Sequence, residues 1–383
     1  MIFAGPNCNI NDRTAAWYLV DNVTTLSFAW YFTGDMKYAN FGADLVNTWF
    51  LDPKTAMYPS LDYAQDGHRT GLIDWKDTFF LLDAIVLLET SGALRQSQVK
   101  ALESWFVRLA TWFASAHMAA AEGNSPNNHG LYFDLSCLAM ALYGKNDELV
   151  DYARQRLHYR LAKLFPLGHF TSDGAQPHET KRPTALHYIT FNLVGWVHIA
   201  LIVESAIAKK DLPIGAESLW NCRHEGDKPT DPPVLLKALR WYVQWLPTDS
   251  DAYTKVTEPT KGMGIKFPFE MEDAFSFDRM LEILRYGVRV YGVRAIFTDD
   301  QLKSKAVQQA LSFSFYATNT GMISKYSSIS PDAGTRPWAS LGVINHVNFT
   351  SSTDSSYTWY DPNRGKPTKS GKRRNRRNLR RRS

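Results

Sequence analysis

The chain has 383 residues and a mass of 43.5 kDa, room for one large domain or two ordinary ones with a well-buried core. At 44% hydrophobic and 21% charged residues it is ordinary globular material, which excludes a disordered or collagen-like chain. Its net charge of +5 divides unevenly: residues 364–383 hold eleven Lys/Arg and no acid, so residues 1–363 carry 32 basic against 38 acidic groups, a net of −6. An anionic ligand of this mildly acidic body must be held by local donors, because the overall field does not attract it. Cys8, Cys137 and Cys222 cannot form a disulfide framework, and no CxxC pair suggests zinc.

In chain order, the first residues show no basic region followed by a long apolar stretch, so no export signal is visible. Apolar residues at three- and four-residue spacing then predict helices over 15–32, 37–50, 75–88, 98–119, 131–143, 147–164, 184–206, 233–245, 271–291 and 301–313. Breakers separate them: Thr33-Gly34-Asp35, Asp52-Pro53, Ser91-Gly92 and Gly144-Lys145-Asn146. Thr298 and Gln301 make a capping box before the last helix. No apolar run is long enough, at ~18 residues, to suggest a membrane span.

Helices with short loops and no strand alternation predict an all-α fold. Runs such as Phe79-Phe80-Leu81-Leu82 are apolar on more than one face, which suits two nested helix layers, an incomplete α/α toroid of antiparallel pairs. The toroid is expected over residues 1–313, followed by an extended Ser/Thr/Gly-rich segment over 314–363 and a disordered basic tail over 364–383. That tail reads either as a nucleic-acid-binding or nuclear-address segment or as a solvated terminus.

Two polar segments stand out. Asn127-Asn128-His129-Gly130 sets two amides and an imidazole side by side at a helix start, although one Asn could serve only as the N-cap. The stretch from Asp173-Gly174 through Glu179, Arg182, His187 and Tyr188 is a polar loop entering an apolar helix. Its plainer reading pairs Arg182 with Glu179 and buries Tyr188 in the core.

Taken together with Tyr63-Ala64-Gln65, Gly71-Leu72-Ile73-Asp74 and Phe191-Asn192-Leu193, these segments resemble the alginate lyase superfamily, the α/α-toroid polysaccharide lyases, over roughly residues 14–295. The resemblance implies β-elimination in a chain of 1,4-linked uronates: alginate, foremost poly-mannuronate, or glucuronan. It implies that Asn128 and Arg182 neutralise the substrate carboxylate, that His129 and Tyr188 are acid/base groups, and that neither metal nor cofactor is needed. Asn127, Tyr63 and Gln65 are the substrate contacts it suggests, with His68 and Arg69 meeting carboxylates at neighbouring subsites.

The chemistry asks for such a set. Removing the C5 proton beside a carboxylate builds a second negative charge on an anionic group, and a preorganised donor there is typically worth ~3–4 kcal/mol. Arg stays charged and can grip a carboxylate with two bonds. A base takes the proton and an acid protonates the departing O4. Tyr188 as base needs a cation close by, since an ordinary tyrosine ionises only near pH ~10. In D-mannuronate and D-glucuronate the C5 hydrogen and O4 share a face, so Tyr188 could act as base and then acid. In L-guluronate they lie on opposite faces, which would recruit His129.

The chain departs from the family pattern in its loop, Asp66-Gly67-His68-Arg69-Thr70-Gly71, and in Thr184, where many relatives have a second Arg. The expected partner is an anionic polysaccharide met by a monomer, with no membrane and no nucleic acid beyond non-specific contact of the tail. Secretion is expected from the family. A glycoside hydrolase on the same fold is the alternative, with Glu179 and Asp173 as candidate carboxylic acids, and a non-catalytic body with a nucleic-acid-binding tail is a third reading.

Overall fold

The computed structural model describes residues 12–62, 69–182, 185–212, 217–245, 277–304, 307–308 and 311, all within the first of two units, residues 1–346. The segment 314–363 and the tail 364–383 lie outside the described residues. Thirteen α-helices follow one another among those described: α1 Asp12–Thr33, α2 Met36–Phe50, α3 Thr78–Ser91, α4 Gln96–Ser115, α5 His117–Gly123, α6 Asn128–Tyr143, α7 Asp147–Ala162, α8 Pro177–Thr180, α9 Ala185–Lys209, α10 Val234–Val243, α11 Phe277–Tyr291, α12 Val293–Ile296 and α13 Asp299–Lys303. Two 3₁₀ turns, Arg69–Trp75 and Leu219–Asn221, complete them.

The helices begin and end where side chains can satisfy their free backbone groups. Asp35, Asn127 and Asn146 cap α2, α6 and α7, and Thr298 with Gln301 forms the expected capping box at α13. The single helix expected over 98–119 is instead two. Ala116 is extended (φ −72°, ψ 134°), ending α4 and starting α5 in a new direction, so that Glu122 and Gly123 pass beneath the start of α6.

Packing sorts the helices into two layers. α1, α3, α6, α9 and α11 form an inner series in which each packs on the next, and α2, α4, α7 and α10 lie against them from outside. α1 and α3 run in the same direction. Trp17 on α1 bonds the carbonyl of Asp74 just ahead of α3, and ten residues later Ser27 bonds the carbonyl of Ala84 within it. This is the α/α toroid, and it places the N-termini of α1 and α3 at one rim.

The innermost members are apolar nearly all round. On α6 every residue from Gly130 to Ala141 is buried, and α9 is buried from Ile189 to Val203. α9 corrects the expectation that no stretch is long and apolar enough for a bilayer. By length and composition it would pass, yet 78% of its most apolar window is buried within the protein, as suits the core helix of a toroid. α6 and α9 cross where Tyr132 stacks on Phe191, with ring centroids 4.3 Å apart and planes 17° apart, and the Tyr132 hydroxyl donates to the Phe191 carbonyl at 3.0 Å.

One inner-layer charge is costly. Asp83 on α3 keeps some exposure as a residue, but its Oδ2 is enclosed without a hydrogen-bond partner, and burial, opposed by Lys209, pushes its carboxyl up to about 8. A carboxyl raised in the folded state holds a proton the unfolded chain has lost. Stability should therefore fall by roughly 1.4 kcal/mol per pH unit between the unfolded value near 4 and about 8. Asp83→Asn should flatten that slope and raise the melting temperature at pH 8, measured by thermal denaturation across pH; equal slopes for the two proteins would refute the assignment.

Candidate functional site

The first cluster is built at the start of α6. Asn127 is the N-cap, its Oδ1 accepting the backbone N–H of His129 at 3.2 Å, so one of the two amides does the capping work that the sequence allowed. Asn128 turns inward and is nearly enclosed. Its backbone N–H donates to Glu179 Oε1 at 2.7 Å and its Nδ2 to Glu179 Oε2 at 2.9 Å. A carboxylate only accepts, so this contact fixes which end of the Asn128 amide is nitrogen. Burial pushes the Glu179 carboxyl up; the two Asn128 donors pull it back, helped by Arg182 and His129.

His129 follows, still partly exposed. Its Nδ1 lies 2.5 Å from Oε1 of Glu122, which is enclosed near the end of α5. The stretch between them is held from below. Asp134, fully buried on α6, accepts Arg156 Nε and Arg160 Nε, each at 2.6 Å. Those two arginines of α7 donate in turn to the carbonyl of Gly123, and Arg160 also to that of Ser125 at 2.9 Å. The fit leaves no room at position 130: a Cβ on Gly130 would stand 2.2 Å from the Ser125 oxygen and 2.5 Å from Arg160 Nη2. Arg160 also reaches His169 Nε2 at 3.4 Å. Burial first, then Arg160, pushes that imidazole well below its ordinary range, so it stays neutral and accepts the Trp196 indole N–H at Nδ1 (3.3 Å).

The second cluster spans α8 and the start of α9. Pro177 suits the first turn of α8, and the Arg182 backbone N–H returns to the Glu179 carbonyl at 3.1 Å, turning the chain toward α9. The Arg182 guanidinium carbon sits 4.0 Å above the centroid of the Tyr188 ring, a cation–π contact. His187 meets that ring edge-on at 5.1 Å and lies parallel to Phe191. Behind them, Asn192 donates to Gln176 Oε1 at 2.8 Å, fastening the loop to α9. Arg182, His187 and Tyr188 are all half-buried, as a surface that meets a ligand requires.

Of the residues singled out in the sequence, the fold brings Asn128, His129, Arg182 and Tyr188 to neighbouring positions at the starts of α6 and α9. Glu179 bridges the two segments. The plainer pairing of Arg182 with Glu179 gives way to a different arrangement, in which both Glu179 oxygens hold Asn128 and Arg182 covers Tyr188. Tyr63, Gln65 and His68 lie outside the described residues. Arg69 opens the 3₁₀ turn Arg69–Trp75, and only its backbone is described.

His198 stands apart, 2.7 Å from Glu282 on α11, and Asp173 is exposed, its carboxylate bonded by Thr171. No group of three or more potential metal ligands occurs among the described residues. The sequence reading missed Glu122, Asp134, Arg156 and Arg160. The last two did carry a signal, since two arginines four apart on one helix face repel unless an anion lies between them.

Removing the buried anion should show its structural weight. Asp134→Asn leaves Arg160 enclosed and uncompensated, and a loss of about 3–5 kcal/mol is expected in denaturant unfolding. A cost under ~1 kcal/mol would show that the frame under the site does not depend on this charge.

Two comparisons with known proteins yield matches. The family described as "Alginate lyase" matches residues 6–212. A crystal structure of an alginate lyase from Bacteroides ovatus is similar to this chain with a TM-score of 0.58 and 26% sequence identity, over 80% of this chain and 72% of that one. No curated protein matches.

Proposed function

The chain belongs to the alginate lyase family, and from that premise we propose that it cleaves 1,4-linked polyuronates, foremost poly-mannuronate with glucuronan next, by β-elimination. It is a polysaccharide lyase by family and by structural likeness. The observation that carries the finer reading is the Arg182 guanidinium lying 4.0 Å over the Tyr188 ring, with Glu179 joining that pair to Asn128 and His129.

In this reading the sugar carboxylate sits against Arg182. Asn128, held by Glu179, offers its remaining amide N–H at the wall. The cation and amide lower the cost of the charge that grows as the C5–H bond breaks. Tyr188, acting as the phenolate, takes that proton, electrons from C5–H form the C4–C5 double bond, the C4–O4 bond breaks, and the Tyr188 phenol so formed gives its proton to O4. On a sugar whose C5 hydrogen and O4 share a face, one phenol can serve both steps; His129 stands ready where they do not. The N-termini of α6 and α9 at the same rim add partial positive charge, which compensates for the net negative body.

A glycoside hydrolase would need two available carboxylic acids across the sugar. Glu179 has both oxygens bonded to buried Asn128 donors, and Asp173 is exposed in the loop. The polar chemistry here favours elimination. The division of the chain into a catalytic body over 1–313 and a separate tail, and action outside the cell on a polymer, belong to the same proposal.

Incubation with purified poly-mannuronate, poly-guluronate and glucuronan tests the reading through the ultraviolet absorbance of the new double bond. Tyr188→Phe should lower kcat by at least ~10³-fold while retention on immobilised substrate survives. A Tyr188→Phe enzyme with most of its turnover intact would remove this mechanism.

A further inference from the structure

We propose that Glu122 is a positioning residue that holds His129 in one tautomer, with the proton on Nδ1 and the Nε2 lone pair kept for the substrate. This rests on the lyase reading for what His129 does; the contact itself places a proton on Nδ1 when Glu122 is ionised, and in the neutral ring that leaves Nε2 free. A carboxylate has no proton to give, so a 2.5 Å contact between Glu122 Oε1 and His129 Nδ1 requires Nδ1–H. Glu122 is enclosed, whereas the imidazole keeps 18% of its side-chain surface exposed. The ring therefore has one edge locked against Glu122 and keeps part of its surface exposed.

Three further observations support a held carboxylate. Ala116 breaks what would otherwise be one helix, so that α5 carries Glu122 under α6. The backbone N–H of Ser125 folds back to the Glu122 carbonyl at 2.9 Å. Next door, the Gly123 carbonyl is bound by both Arg156 and Arg160, so the residue after Glu122 is anchored to α7. His129 itself is fixed by its backbone bond to Asn127. The charged groups that bear on the imidazole are Glu122 in contact and Glu179 across the site.

Without this partner the ring could carry its proton on either nitrogen. The Nε2–H form offers a donor where the reaction with an opposite-face uronate needs an acceptor. Carboxylate partners of functional histidines fix tautomer and orientation in this way, and losing them is costly.

The test joins spectroscopy with kinetics. In ¹⁵N-labelled wild-type protein at neutral pH, His129 should show a protonated Nδ1 and an unprotonated Nε2; a predominantly Nε2-protonated ring overturns the proposal. Glu122→Gln, whose amide can donate to Nδ1, should move the ring toward the Nε2–H form. It should also lower kcat by about 10²-fold with KM changed less than about 3-fold, the larger loss falling on poly-guluronate if the enzyme cleaves it.

In a His129→Ala background the same change should alter kcat by less than about 3-fold, because its target is gone. Additive losses would mean that Glu122 acts elsewhere and would overturn the proposal. If Glu122→Gln does not fold, Glu122→Asp keeps the charge but shortens the reach, and wild-type kcat with a wild-type tautomer in that variant is equally fatal. A wild-type protein inactive on every polyuronate removes the proposed function, while the ¹⁵N result still decides the tautomer.

Discussion

The site depends on the crossing of α6 and α9. Both are inner helices, and they meet through Tyr132, whose ring stacks on Phe191 and whose hydroxyl bonds the Phe191 carbonyl. About one turn before that crossing lie Asn128 and His129 on one helix and Tyr188 on the other. The apolar contact thus sets the spacing of the polar groups. Because 13 of the 16 residues of α6 are buried, the helix has little freedom to rotate without exposing apolar surface. Chemistry at the rim is positioned by hydrophobic packing below it.

Above the crossing the problem becomes electrostatic. In the proposed reaction, a body with net charge −6 has to receive an anion and then stabilise a second charge on it. Around the site, three buried carboxylates each have a donor: Glu179 the backbone and side chain of Asn128, Glu122 His129, and Asp134 Arg156 and Arg160. Buried ionic groups gain little net stability, because desolvation offsets attraction. Their value here is orientation. Each carboxylate permits only a donor opposite it, so the amide end of Asn128 and the protonated nitrogen of His129 follow from valence alone. Among the described residues, no carboxylate lies within ion-pair distance of Arg182. Its guanidinium covers Tyr188 instead.

Much of this could be read before any fold was known, and the parts that could not share one cause. Helix positions followed from apolar spacing because the inner helices are nearly continuous in apolar residues, and caps such as Asn146 and Thr298 are local signals. Asn128, His129, Arg182 and Tyr188 stood out because a dense polar run inside apolar helices costs energy unless it has a use. Glu122 gave no such signal. It follows three alanines in what reads as the wet face of a continuing helix, and only the turn at Ala116, which has no proline or glycine to announce it, sends it inward.

Asp134 looked like one stray charge in an apolar helix, and its partners lie 22 and 26 residues away. Pairing of that kind is a property of tertiary packing and leaves no local pattern. Glu179 was seen, but as a salt-bridge partner for Arg182 three residues on. What overrode that local pairing was a pair of better-aligned donors on Asn128, 51 residues distant in the chain.

This division has a consequence for how the active surface tolerates change. In the proposed mechanism, Asn128 and His129 are held by the buried carboxylates Glu179 and Glu122, which cannot be altered without unpairing a donor in a low-dielectric setting. Altered substrate preference is therefore more accessible through the segment Asp66–Thr70 and position 184, where the sequence departs from the family pattern, than through the four central side chains. Position 184, two residues after Arg182 in the chain, holds Thr. In the proposed mechanism, discrimination between C5 epimers comes from which proton acceptor, Tyr188 or His129, stands on the face of the sugar that carries the C5 hydrogen.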